Sequence, residues 1–85
     1  MTDETPGSPM RAVVEVVARA LVDRPADVQV TEVSRRGMTI VELSTAPGDM
    51  GKIIGRQGRT AAALRTLVSL AAEQNGTRAQ LDIRD

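Results

Sequence analysis

Two glycines three residues apart, Gly55 and Gly58, interrupt a stretch that otherwise reads as helix from Asp49 to Gln74. Glycine is unfavourable inside a helix, but it permits left-handed backbone and lets another chain approach without a Cβ in the way. The spacing therefore predicts a tight turn. A short helix over 49–54 leads into the loop Gly55-Arg56-Gln57-Gly58, and a long helix follows over Thr60–Gln74. Because the loop ends at a helix N-terminus, free N–H groups and the helix dipole there favour an anion. Arg56 and Gln57 project from the tip. An arginine fork suits a phosphate, and the Gln57 amide can bond to a sugar or a phosphate. Of Ile53 and Ile54, one is expected to anchor the turn in the core and the other to line an apolar groove.

The flanking segments define the architecture. Ser8-Pro9 is a helix start, with Ser8 as the cap and Pro9 at the first helical position. Met10, Val13, Val14, Val17 and Leu21 follow at helical spacing. Arg24-Pro25-Ala26-Asp27 breaks that helix. Residues 28–34 and 38–45 alternate as strands, with Val28, Val30, Val41 and Leu43 inward and Glu42 toward water, joined by a turn at Arg36-Gly37. Ala46-Pro47-Gly48 ends the second strand. Leu64, Leu67, Val68 and Ala71 form the stripe of the long helix, and Asn75-Gly76 closes it. Ala79, Leu81 and Ile83 alternate as a third strand. The order helix, strand, strand, helix, helix, strand implies an α+β domain with three helices on one face of a three-stranded sheet. Residues 1–7 are polar and unpatterned and are read as a flexible tail, leaving one domain over 8–85.

Composition removes most other functions. With no cysteine and no histidine among 85 residues, thiolate nucleophiles, disulfides and the common zinc ligands are excluded, and no metal or cofactor is expected. The carboxylates Asp49, Glu42 and Asp82 are scattered over different elements, and nothing pairs a nucleophile with a base, so the chain does not read as an enzyme. There are no aromatic residues, which excludes base stacking on a Phe or Tyr platform. No apolar run approaches a membrane span and no signal-peptide pattern opens the chain, so a cytoplasmic location is expected. The formal net charge is zero, yet residues 49–65 hold Lys52, Arg56, Arg59 and Arg65 against Asp49 alone, a local +3. That is the footprint of an anion site. Outside this segment the arginines, including Arg35-Arg36 in the turn, read as solvated charges.

The glycines do not form a P-loop, because Gly51-Lys52 is followed by Ile53, nor a dinucleotide fingerprint, because no two glycines flank a single residue here. A glycine-rich turn that binds nothing would show the same two glycines. The wider pattern is more specific. Ile53-Ile54-Gly55-Arg56-Gln57-Gly58 resembles the signature of the KH domain, whose Gly-x-x-Gly loop between two helices clamps a nucleic-acid backbone. The element order is that of the type II KH fold. Over residues 10–84 the chain is similar to the small bacterial KhpA family, through Leu21-Val22-Asp23, Pro25, Val28, Val30, the whole run from Ala46-Pro47 through Gly58-Arg59-Thr60, and Leu64-Arg65-Thr66-Leu67.

The resemblance implies single-stranded RNA as ligand, held by Lys52, Ile54, Gly55, Arg56, Gln57, Gly58 and Arg59. It implies a homodimer, a larger RNA-binding partner of the KhpB type, and a role in RNA chaperoning or post-transcriptional control linked to cell shape and envelope growth. The alternative is a KH fold kept for dimerisation or protein interaction, with weak or no RNA binding. Many KH domains carry a branched apolar residue three positions after the second glycine. Here that position is Ala61, which is expected to leave a shallower groove wall.

Overall fold

A computed structural model describes residues 8–84; the expected tail, residues 1–7, lies outside them. The elements run α1 (Pro9–Leu21), a 3-10 turn (Pro25–Asp27), β1 (Gln29–Arg35), β2 (Met38–Ser44), α2 (Met50–Ile54), a second 3-10 turn (Arg56–Gly58), α3 (Arg59–Gln74) and β3 (Arg78–Arg84). This is the α-β-β-α-α-β order expected from the sequence.

The sheet has the order β1-β2-β3. β1 pairs antiparallel with β2, with Val30 opposite Leu43 and Arg35 opposite Met38. β2 pairs parallel with β3, with Met38 beside Arg78 and Val41 beside Leu81. Parallel neighbours need a long crossover, and here it is the whole unit α2–loop–α3. The helices cover one sheet face, where Val30, Val41, Leu43 and Leu81 are buried against Met10, Val14, Ile53, Leu64 and Val68. The other face is left open and carries Thr31, Val33, Ile40, Glu42, Asp82 and Arg84. Glu42 is oriented away from the core as expected, and accepts from Thr31 Oγ1 at 3.2 Å and Arg84 Nη2 at 3.0 Å.

Helix α1 starts as its sequence dictates. Ser8 Oγ accepts the Arg11 N–H at 3.2 Å, and the same hydroxyl donates to Glu32 Oε1 at 2.6 Å, tying the cap to β1. The far end of α3 is closed by Gly76 at φ +66, with Gly76 and Thr77 donating back to Glu73 and Ala72. That is the two-bond Schellman closure. Two positions of the expected stripes fall outside the core. Leu21 and Leu67 are 39% and 44% exposed, while Ala18 and Ala72 are buried. The buried faces run through Met10, Val14 and Ala18 on α1 and through Ala61, Leu64, Val68 and Ala72 on α3, and the two helices lie against each other as well as against the sheet. Among the described residues no helix is long and apolar enough to cross a membrane.

Candidate nucleic-acid interface

The loop between α2 and α3 is built from backbone conformations that most residues avoid. Gly55 has φ +75 and ψ 176, Gln57 has φ +57 and Gly58 has φ +72. The two glycines are required for different reasons. A Cβ on Gly55 would lie 2.7 Å from the Thr60 Cβ, so the first turn of α3 occupies the space a side chain would need. A Cβ on Gly58 would meet nothing within 4 Å. Only its left-handed φ calls for glycine, and the space beside it is open for a ligand. Gln57 adopts the same left-handed region with a side chain, at a cost of about 1–2 kcal/mol. Strain of this kind at a loop tip is a pointer to function.

Ile53 is fully buried and pins the loop to the core, whereas Ile54 is 38% exposed beside it. Of the two isoleucines, Ile53 is therefore the one that anchors the turn, and Ile54 is the exposed one next to the loop. Arg56 and Gln57 are exposed at the tip. Arg59 Nη2 donates to Gln57 Oε1 at 2.9 Å, which braces both side chains and leaves the Gln57 amide hydrogens as donors. No side chain caps the first turn of α3 and no acidic residue stands in it. The loop therefore presents cationic and amide donors together at a helix N-terminus.

Lys52 sits one turn earlier and is already engaged. Its Nζ is 3.2 Å from Asp23 Oδ2 and 3.8 Å from Asp49 Oδ1. Asp49 is the one buried charged side chain among the described residues, 3% exposed, and its Oδ2 accepts the Arg24 N–H at 3.0 Å. This carboxylate ties the segment after α1 to the start of α2, and so holds the helix that delivers the loop. From sequence Asp49 read only as a stray acid. The signal available was its place just after Pro47-Gly48 at a helix start, but the partner, 25 residues back, is a tertiary feature. Ala61 differs from expectation. It is 3% exposed, so it packs inside the molecule and does not wall an open groove.

Helix, loop and sheet together define a KH domain of type II, in which a Gly-x-x-Gly loop joins two helices against a three-stranded mixed sheet. The family described as "KhpA/KhpB, KH domain" matches residues 11–83, and the chain belongs to that family. A protein named "RNA-binding protein KhpA" from Halalkalibacterium halodurans is 51% identical over 76 residues, covering 89% of this chain and all of that one. Its namesake in Clostridium perfringens is 46% identical over 74 residues, covering 87% and 99%. The family is non-enzymatic, in agreement with the sequence reading. Among solved structures, an Aquifex aeolicus Era variant bound to GDP and aluminium fluoride superposes with a TM-score of 0.65 over 96% of this chain at 17% identity. The chain spans 31% of that protein, and the likeness is one of fold.

Proposed function

We propose that this protein binds single-stranded RNA by clamping the sugar-phosphate backbone at Gly55-Arg56-Gln57-Gly58. Arg59 braces the clamp, Ile54 offers apolar surface to the bases, and Lys52, paired with Asp23 and Asp49 behind the loop, joins the contact by exchanging those carboxylates for phosphate. One observation carries the reading. The open space beside Gly58, at a left-handed turn, coincides with an uncapped helix N-terminus and an exposed Arg56 whose side chain makes no hydrogen bond or ion pair among the described residues. A loop serving only to reverse the chain has no use for that combination. The relatives named as RNA-binding proteins support it.

With no aromatic side chain to stack on bases, affinity comes mainly from phosphates and sequence preference is slight. This suits an RNA chaperone or post-transcriptional regulator acting in the cytoplasm, and the family resemblance extends the role to cell shape and envelope growth. The protein acts as a homodimer and associates with a KhpB-type partner. Val16, Leu67 and Leu70, 70%, 44% and 51% exposed on α1 and α3, supply apolar surface for such contacts. That same surface favours the second reading, a KH fold retained for protein interaction.

The two separate on one variant. Arg56→Asp with Gln57→Asp puts two negative charges where the phosphate would lie, at exposed positions where stability changes little. RNA binding measured by fluorescence anisotropy is expected to vanish while the melting temperature holds. A folded double variant with unchanged affinity would discard the clamp and leave the interaction module.

A further inference from the structure

Five of the basic side chains are paired with acids within 4 Å: Arg11, Arg19, Arg24, Lys52 and Arg84. Among the described residues no such pair involves Arg35, Arg36 or Arg78. The sheet register brings these three together. Met38 lies between Arg35 on one side and Arg78 on the other, so the two arginines occupy one row on the open face, about 10 Å apart at the strand spacing. Arg36 follows at the hairpin tip.

The turn adds an independent observation. Arg36 and Gly37 have φ of +53 and +79, the signs of a type I′ hairpin, whose first central position favours Asn, Asp or Gly. An arginine there is held in the left-handed region at a cost of about 1–2 kcal/mol. Among the described residues, Arg36 and Gln57 are the non-glycine residues with positive φ. One sits in the clamp and the other in this unpaired cluster.

The two places lie at opposite ends of α3. The clamp precedes Arg59, and Arg78 begins β3 just beyond the helix C-terminus, about 24 Å away for 16 residues. A KH clamp holds about four nucleotides, so a longer strand leaving it along the β3 edge has the length to reach the cluster.

We infer that Arg35, Arg36 and Arg78 form a second contact for the RNA backbone, engaged only by strands longer than the clamp itself. The inference rests on the clamp reading above. Glu73 shares the cleft beside Met38 and Arg78; it weakens the local field and leaves the cluster net positive. The contact carries charge but no base-reading group, so it extends the footprint without adding sequence preference.

The test compares oligouridine of four and of twelve nucleotides, by anisotropy over a salt series, on the full chain and on the variant Arg35→Gln, Arg36→Asn, Arg78→Gln. Asparagine suits the turn, so the variant is expected to melt no lower than the parent. The parent should bind the twelve-mer more tightly than the four-mer. The variant should lose about ten-fold or more on the twelve-mer near 0.1 M salt, with its log–log slope shallower by about 2, and keep the four-mer affinity. Equal affinity and slope for the twelve-mer in parent and variant would overturn the inference while the clamp stands. A parent that binds neither oligomer removes both readings. If the variant instead loses binding to a polyglutamate peptide and none to RNA, the cluster serves an acidic protein and the inference is wrong.

Discussion

Gly55 and Gly58 look alike in sequence and face different constraints in space. At Gly55 both the backbone angle and the Thr60 side chain exclude a Cβ. Gly55→Ala is therefore expected to destabilise strongly, by more than the ~1–2 kcal/mol of a left-handed non-glycine residue alone. At Gly58 only the angle and the ligand space matter. Gly58→Asn should keep most of the stability, because asparagine tolerates this region, yet weaken RNA binding by intruding beside the phosphate. Gly58→Val should cost both, since a β-branched side chain is strongly disfavoured at positive φ. Thermal melts with and without RNA separate the cases. Full affinity in the valine variant would show that the ligand does not pass over this backbone.

The loop itself was legible because glycine spacing, a helix start and basic residues coincide within ten positions. The same scale shows where sequence falls short. Ala18, Ala61 and Ala72 are core residues, but alanine is as common on helix surfaces as inside, so it carries little signal. Leu67 follows the apolar pattern, yet it stands about 100° round the helix from Val68, outside the strip that α1 and the sheet cover. Whether a leucine at that angle is buried depends on the neighbour's position, which periodicity does not encode.

At the scale of elements, boundaries with local causes matched expectation: the Ser8-Pro9 start, the Arg36-Gly37 turn and the Asn75-Gly76 stop. The long-range ties were not legible, including the Asp49 carboxylate on the Arg24 amide and the Ser8 hydroxyl on Glu32. Ser8→Ala removes a cap and a strand contact together. A loss of about 1–2 kcal/mol is expected, a fall of roughly 4–15 °C in melting temperature for a domain of this size, with RNA affinity unchanged. A melting temperature within 1 °C of the parent would mean, against this expectation, that neither the cap nor the bridge to Glu32 contributes.

For the molecule as a whole, the expected binding is weak and salt-sensitive. A log–log slope of roughly −1 to −3 fits neutralisation of a few phosphates on a single strand. Binding insensitive to salt would contradict any phosphate clamp. A small core with apolar residues left on α1 and α3 also predicts self-association. Sedimentation should show a species heavier than the 9.0 kDa monomer at tens of micromolar, shifting to monomer in Leu67→Glu with Leu70→Glu. A parent that stays monomeric there has an affinity weaker than about −6 to −7 kcal/mol, and the homodimer would have to be abandoned.

The loop Gly55–Gly58 is also the bend in the connection that carries the chain from β2 to its parallel neighbour β3. The final strand can reach its place only after that connection has folded back on itself. A backbone fault at Gly55 would thus strand β3 in solution and leave an edge of β2 unpaired, the kind of surface that draws proteases and aggregation. A fault at Gly55 is thus expected to remove folded molecules, whereas changes to the exposed side chains of Arg56 and Gln57 are expected to leave the fold in place.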